Sequence, residues 1–322
     1  MNPIRTTALA LCLGLAAPAA MAQDFPSKPI TIVNPYSAGG PADLISRTVA
    51  EGMSAALGQP VVVENRPGAA TAIAASYVAG ADPDGYTLLI AGSPTHVVTP
   101  AIQPDVTYDG IEDFQPVALV ATVPNVLVVP ASLGISSATE LAEMAAAETD
   151  AVAFASVGNG SLPHLSSVLF MQETGSQMVH IPYGGAAPAV VDLLAGNVDM
   201  GFLNAPPLMS HIENGDLIPL GIAAAERSDQ LPDVETMSEL GFGDFQMSTW
   251  YGFSAPAGTP DDVVATLQGA VETALQDEGI RERLTAQGVM VTYQSSADFA
   301  DFLATDAERM LGLLSAAGIS GQ

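Results

Sequence analysis

The sequence predicts an α/β protein with two lobes, each a mostly parallel sheet flanked by helices, and a ligand cleft between the lobes. Three observations predict this fold. Short runs of β-branched residues alternate with helical patterns, two of these runs end in glycine-rich loops, and the last part of the chain reads as a return to the first lobe. Ligand sites in such sheets lie beyond the C-terminal ends of the strands, where both loops fall.

The first lobe opens with three predicted strands, at residues 30–33, 61–64 and 87–91. Between the first two, apolar residues recur at helical spacing, with Pro41 suited to the first turn and Gly58 to the stop. Asp43 and Arg47 lie four residues apart on this helix, so we expect them to pair.

The second lobe opens near residue 126, and a Ser-Ala-Thr-Glu capping box follows at residues 137–140. Its predicted elements are strands at 126–129, 152–156, 179–182 and 198–203 and helices after Ser161 and at 186–195. The chain then returns with a strand at 251–254, a helix at 260–276 and a helix at 295–316 that begins at Ser295 or Ser296. We therefore assign residues 23–123 and 251–322 to lobe 1, and residues 124–250 to lobe 2.

The first 22 residues have the pattern of a signal peptide. Arg5 supplies the positive charge, residues 8–17 form an apolar core too short to span a bilayer, and residues 20–22 (Ala-Met-Ala) form a small-residue cleavage site. We expect cleavage after Ala22 and export to the periplasm. The sequence has one cysteine, which lies in this segment, so we expect the mature protein to depend on its apolar core rather than on disulfides.

The composition and the motifs exclude several function classes. With 35 acidic and 8 basic residues, a net charge of −27, the chain has too few cations to be a nucleic-acid-binding protein. No nucleophile elbow, zinc-protease motif or phosphate loop is present, and the four histidines lack the spacing of metal ligands. We expect no catalytic residues, no metal and no cofactor; an exported hydrolase or transferase with the same layers is the alternative.

Two glycine-rich loops carry the strongest functional signal. The first spans residues 34–43 and the second residues 158–164, and each runs from a predicted strand into a predicted helix. The start of a helix leaves unpaired N–H groups and a partial positive charge, so such loops bind anions without a basic side chain. In a chain so poor in cations, we expect main-chain amides to be the principal grip on an anion.

Several motifs in order resemble those of a known family. They are PSKPI at 26–30, PYSAGGPAD at 35–43, ENRPGA at 64–69, PDGYTLL at 83–89, GNGS at 158–161 with His164, PYGG at 182–185, LPDV at 231–234 and APAGTP at 255–260. Together they resemble the tripartite tricarboxylate transporter substrate-binding proteins, the Bug or TctC family, over essentially the whole mature chain. Asn34 and Tyr36 depart from the family pattern, where an apolar residue and Phe are expected.

The resemblance implies a periplasmic receptor of the two-lobed, type II-like binding-protein fold. Such a receptor closes on a small organic carboxylate, a di- or tricarboxylate or an aromatic acid, and delivers it to the large and small membrane subunits of a carrier. A receptor that serves a sensor protein is the alternative. We expect a monomer. The implied ligand-binding residues are Tyr36, Ser37, Ala38, Gly39, Gly40, Asp43, Ser93, Thr95, His96, Gly158, Asn159, Gly160, Ser161, His164, Tyr183, Gly184 and Asn204.

Some of these residues have a structural role as an alternative. Asp43 would repel an anionic ligand, so we expect it to brace the first loop instead. Ser161 caps the following helix or donates to the ligand, and His164 near that helix start is neutral, positioning the loop or the ligand.

Three aromatic or amide side chains carry the same ambiguity. Tyr183 is either a packed aromatic or a donor at the cleft, and Asn204 either reads the far end of the ligand or forms a cap before Pro206. Trp250 either packs at a strand that crosses between the lobes or stacks on an aromatic ligand, and packing is favoured.

Overall fold

The computed structural model describes residues 25–319, so the predicted signal peptide lies outside the described residues. The strands are β1 (Ile30–Asn34), β2 (Val61–Asn65), β3 (Thr87–Ala91), β4 (Phe114–Val123), β5 (Asn125–Pro130), β6 (Ala153–Ser156), β7 (Val179–Pro182), β8 (Met200–Asn204), β9 (Leu217–Ala223), β10 (Thr249–Pro256) and β11 (Met290–Gln294). The helices are α1 (Pro41–Leu57), α2 (Ala72–Ala79), α3 (Thr99–Ile102), α4 (Ala138–Ala147), α5 (Leu162–Thr174), α6 (Ala186–Leu194), α7 (Met209–Glu213), α8 (Asp261–Gln276), α9 (Glu278–Thr285) and α10 (Ser296–Ala316).

The strands form two sheets, which confirms the α/β class. The first has the order β11-β4-β10-β3-β1-β2, and the second has the order β7-β6-β8-β5-β9. Strand β1 pairs in parallel with β2 and β3, and β6 pairs in parallel with β7 and β8. The other pairings are antiparallel.

Both sheets are therefore mixed, and the prediction of mostly parallel sheets was wrong. The alternation of strands and helices marks strands that a helix connects, and these are the parallel ones. The antiparallel pairs involve β4, β5 and β10, through which the chain passes between the sheets, and the edge strands β9 and β11. Only Pro124 separates β4 from β5, so no helical crossover marks this passage in the sequence.

Helix α1 follows the sequence pattern closely. Pro41 lies in its first turn, and Gly58 ends it in the left-handed conformation with φ of 63°. Its apolar face is buried in the core of the first sheet together with residues of α8. A side chain at Gly52 would come within 2.5 Å of the Cβ of Ala274, so the absence of one lets α1 and α8 pack closely.

Helix α10 spans the two sheets. Ser295 caps it by accepting a hydrogen bond from the Asp298 N–H at 3.2 Å. The first half of the helix buries Phe299 and Leu303 in a cluster with Trp250, whereas the second half contributes Met310, Leu313 and Leu314 to the core of the second sheet. Within residues 25–319, no helix combines the length and the apolar character that a membrane span requires.

Candidate functional site

A cavity of about 310 Å³ lies between the loops of the two sheets. Six of the predicted residues line it: Tyr36, Ser93, Asn159, Gly160, Ser161 and Asn204. A larger cavity of about 420 Å³ is lined by Trp250 together with residues of α10, and none of the predicted ligand-binding residues lines it. The smaller cavity is therefore the candidate site.

The other predicted residues lie outside the lining of this cavity. Ser37, Ala38 and Gly39 are exposed, whereas Asp43, Thr95, His96 and His164 are buried; Gly40, Gly158, Tyr183 and Gly184 complete this group. Of the three predicted residues that follow β3, Ser93 lines the cavity beside Pro94, whereas Thr95 and His96 do not. Contact between a ligand and any of these residues outside the cavity lining stays a prediction.

Asp43 holds the first loop from the side of α1. Its carboxylate accepts hydrogen bonds from the Gly39 N–H at 3.0 Å and from the Asn65 amide at 3.0 Å, and it forms the predicted pair with Arg47 at 2.9 Å. Burial raises the pKa of Asp43, but the hydrogen bonds from Arg47, Gly39 and Asn65 outweigh it and lower the pKa to about 2. The carboxylate is thus engaged by the protein itself.

Tyr36 is the part of the first loop that reaches the cavity. Its N–H donates to Oδ1 of Asn34 at 3.1 Å, and its carbonyl accepts from the Asn65 amide at 3.1 Å. Burial raises the pKa of the Tyr36 hydroxyl to about 12, so this group stays protonated and can donate. Asn34, a departure from the family pattern, shapes the loop by accepting from Tyr36.

The second loop is held mainly by hydrogen bonds between its own residues. The Gly160 N–H donates to Nδ1 of His164 at 3.1 Å, and the Ser161 hydroxyl donates to the Gly158 carbonyl at 2.6 Å. The same Ser161 oxygen accepts from the His164 N–H, so Ser161 is the cap of α5. The Gly158 N–H donates to the hydroxyl of Ser156 at 3.1 Å.

His164 positions this loop as a neutral side chain. Its ring stacks on that of His180 with 3.9 Å between the ring centroids. Burial and, to a smaller extent, the neighbouring His180 together lower the pKa of His164 to about 4. A neutral imidazole can accept the Gly160 N–H, which an imidazolium cannot do.

His96 and Tyr183 make their polar contacts inside the protein. The Nδ1–H of His96 donates to the Gly110 carbonyl at 2.5 Å, and Nε2 lies 3.1 Å from the Ser254 hydroxyl. Burial lowers the pKa of His96 to about 4. The Tyr183 hydroxyl donates to Asp192 of α6 at 2.7 Å. Neither side chain is part of the cavity lining.

Asn204 and Trp250 lie where β8 and β10 reach the cavity. The Asn204 amide donates to Oδ1 of Asn125 and to Oγ1 of Thr249, both at 3.1 Å. Trp250 packs at right angles to Phe299, and its Nε1–H donates to Asp306 at 2.9 Å. Trp250 is 1% exposed, so its main role is packing.

Sequence reasoning missed the segment from Ala69 to Thr71. Three consecutive residues have positive φ, 44° at Ala69, 46° at Ala70 and 84° at Thr71, which is strained for residues with side chains. Ala70 and Thr71 line the cavity, and the Thr99 hydroxyl donates to the Ala70 carbonyl at 2.6 Å. The glycine before the segment was an available signal, although by itself it marks only a turn.

The chain matches proteins of known family over nearly its whole length. The family model described as the tripartite tricarboxylate transporter family receptor matches residues 45–319. Protein BugT of Bordetella pertussis is 37% identical over 306 residues, which cover 95% of this chain and 94% of BugT.

Two solved structures are similar to the fold described above. Rpa4515 of R. palustris, solved with adipate, has a TM-score of 0.81 and 32% identity over 93% of this chain and 100% of that chain. MatC of Rhodopseudomonas palustris, solved with bound malate, has a TM-score of 0.76 and 33% identity over 90% of this chain and 100% of that chain. These matches confirm the two-lobed binding-protein fold, and the chain belongs to the tripartite tricarboxylate transporter receptor family, a family of solute-binding proteins rather than of enzymes.

Proposed function

We propose that this receptor captures a small organic carboxylate in the cavity between its sheets and delivers it to the membrane subunits of a tripartite tricarboxylate-type carrier. One observation carries the proposal: loops from both sheets, including both glycine-rich loops, line a single cavity. A molecule bound there touches both lobes, so its binding energy favours their closure. Closure provides the signal that a carrier can recognise.

The lining of the cavity supports an anionic ligand held by neutral donors. Among the described residues that line it, none is Lys or Arg, while Tyr36, Thr71 and Asn159 supply hydroxyl and amide groups. Hydrogen bonds to a charged group contribute on the order of 1.5–3 kcal/mol each. Relatives solved with malate and adipate support a dicarboxylate for this chain, and tricarboxylates and aromatic acids belong to the same proposal.

We make the same kind of proposal for the residues that contact the ligand, for the cellular location of the receptor and for the division of the chain into lobes. We propose that the outer loop residues Ser37, Ala38, Gly39 and Gly40 reach the ligand when the lobes close. Cleavage after Ala22 releases a monomeric receptor into the periplasm. We propose that lobe 1 comprises residues 23–123 and 251–322 and lobe 2 residues 124–250. The membership of the strands in the two sheets supports this division except at Thr249 and Trp250, which begin β10 of the first sheet.

The test is a thermal-shift screen of residues 23–322 against organic acids, followed by calorimetry. A ligand bound by the folded state alone stabilises it by about 2.7 kcal/mol at a concentration of 100 Kd, so an acid that binds raises the Tm. Each acid is compared with its uncharged amide. Binding of acids but not of amides is the expected result; binding of neutral compounds alone would contradict the proposal, and turnover of ester or phosphate substrates would favour the hydrolase alternative.

Delivery has a separate test. Cells that contain the carrier subunits are assayed for uptake of the labelled acid with and without the receptor. Uptake that requires the receptor is expected, and uptake that is equal in both cases would contradict the delivery step.

A further inference from the structure

The wall of the cavity near the start of β10 contains a hydroxyl whose hydrogen is already used. Ser93 lines the cavity and is 3% exposed, and its Oγ donates to Oδ2 of Asp306 at 2.5 Å. Asp306 also accepts from Trp250 Nε1 at 2.9 Å and from Arg309 Nη2 at 2.7 Å. A carboxylate accepts and does not donate, so the direction of the Ser93 bond is fixed. Ser93 therefore has only lone pairs to offer a further partner.

Asn204 lies on the same wall, and its amide is committed in the same way. The Asn125 amide donates to the Met247 carbonyl at 2.7 Å. A carbonyl only accepts, so the Asn125 atom bonded to it is Nδ2, and Oδ1 of Asn125 must accept from Asn204. Both amide hydrogens of Asn204 are then used, one by Asn125 and one by Thr249. Oδ1 of Asn204 is left as an acceptor.

Each of the two acceptor side chains is linked by hydrogen bonds to one of two consecutive residues of β10. Asn204 bonds to Thr249, and Ser93 shares Asp306 with Trp250; all four residues line the cavity. Because Oγ1 of Thr249 accepts from Asn204, and no hydrogen bond among the described residues uses its own hydrogen, Thr249 can donate. This wall thus presents two acceptors and one donor. A carboxylate accepts only, so it pairs poorly with such a wall.

We propose that the ligand carries a hydroxyl group and that Ser93 and Asn204 select for it; the inference rests on the proposed function above. A hydroxyl donates one hydrogen bond and accepts others, so it matches a wall with both kinds of group. The carboxylate of the same ligand then lies toward Tyr36 and the first glycine-rich loop, where donors are available. The receptor distinguishes a hydroxy acid from the same acid without the hydroxyl.

The experiment compares acids that differ by one hydroxyl. Calorimetry gives the Kd of succinate against each enantiomer of malate, and of tricarballylate against citrate. In every pair that binds, the hydroxy acid, taken as the tighter-binding enantiomer for malate, should bind at least roughly fivefold more tightly than the acid without the hydroxyl. The acid without the hydroxyl leaves the acceptors of this wall unpaired. The measurement on the unaltered receptor needs no variant, so it tests the proposal even if a variant fails to fold.

Two variants identify the groups that read the hydroxyl. Ser93→Ala and Asn204→Ala each remove one acceptor and should each reduce the ratio of the two Kd values. Ser46→Ala is the matched control, since Ser46 is equally buried, donates to the Ala42 carbonyl at 2.6 Å and lies outside the cavity lining. This control should leave the ratio unchanged.

The outcomes separate this inference from the proposed function. Equal binding of both members of each pair would overturn the inference and leave the carboxylate receptor standing. A ratio that persists in both folded variants would also overturn it, because other groups would then read the hydroxyl. Binding of none of these acids, nor of any other carboxylate in the screen, would refute both proposals.

Discussion

The two glycine-rich loops have the same arrangement of strand, loop and helix, yet the protein holds them in different ways. The first is held by a charged group, Asp43, and the hydrogen bonds among the described residues leave the amides of Ser37 and Ala38 unused. The second is held by neutral groups and uses its own donors: Gly160 donates to His164 and Ser161 donates to Gly158. The pattern in the sequence thus locates a site, but the partners of each amide decide which loop has donors to spare.

The starts of the two helices show the same difference. Gly40 precedes α1 and supplies no side-chain cap, whereas Ser161 caps α5. An uncapped helix start can bind an external anion through its N–H groups, and a capped one has already satisfied part of them. We therefore expect the first loop to grip the carboxylate and the second to shape the opposite wall.

The largest effect is expected from Gly40→Pro. Proline removes the N–H at the start of α1, and a hydrogen bond to a carboxylate is worth up to about 3 kcal/mol, so affinity should fall roughly a hundredfold. Gly40→Ala is the matched control, since it keeps the N–H and its Cβ would lie 3.9 Å from the nearest atom, the Ser37 carbonyl oxygen. Calorimetry with the best acid from the screen measures both variants.

Equal affinities of the proline and alanine variants would show that the first loop is not the grip. The equivalent substitution cannot be made at Gly160 with the same meaning, because its N–H holds His164 and its φ is 71°. A Gly40→Pro variant that folds but binds the acid more weakly would support the conclusion that the first loop, and not the second, holds the carboxylate.

The second loop should respond to pH through His164. Its pKa is about 4 in the folded protein against 6.5 for an ordinary histidine, so between these values the unfolded chain binds a proton that the folded protein does not. Stability should therefore be fully present above about pH 6.5 and fall by about 2–3 kcal/mol as the pH drops to about 4. In His164→Asn, which does not titrate, this part of the loss should disappear.

Urea unfolding at a series of pH values between 7.5 and 4 measures this effect. Asparagine can accept the Gly160 N–H through its side-chain oxygen, so the variant should keep the conformation of the loop. Parallel stability curves for the two proteins would contradict a neutral, buried role for His164.

The sequence predicted the parallel strands well because helices mark them. The predicted strand at 87–91 agrees with β3, and that at 179–182 agrees with β7. The predictions omitted β4, β9 and β11, which pair antiparallel. Their pairing depends on contacts between distant parts of the chain, such as β10 with β4, and local periodicity carries no information about such contacts.

The sequence predicted the location of the site better than the partners of its side chains. Spacing alone predicted the pair of Asp43 and Arg47, and the cap role of Ser161 was one of two alternatives. The sequence did not predict that Asp306, 213 positions after Ser93, accepts its hydroxyl, or that three positive φ angles place Thr71 at the cavity. Such features depend on tertiary packing, which selects conformations against local preference.

The smallest of the three effects is expected from Asp43→Asn in the first loop. The pKa of Asp43 is about 2 against 3.8 for an ordinary aspartate, so its contribution of about 2 kcal/mol should be complete above about pH 4 and be lost as the pH falls toward about 2. Glu51→Gln on the same helix is the control, because its ion pair with Arg283 is exposed and such pairs contribute only about 0–1 kcal/mol. Urea unfolding at pH 7, 5, 4 and 3 gives the free energy of unfolding of the Asp43 variant and of the natural protein. The difference between these two free energies should shrink only below about pH 4, whereas the pH range in which His164 affects stability lies above about pH 4. If both loops lost stability in the same pH window, the distinction between a charged and a neutral brace would be wrong.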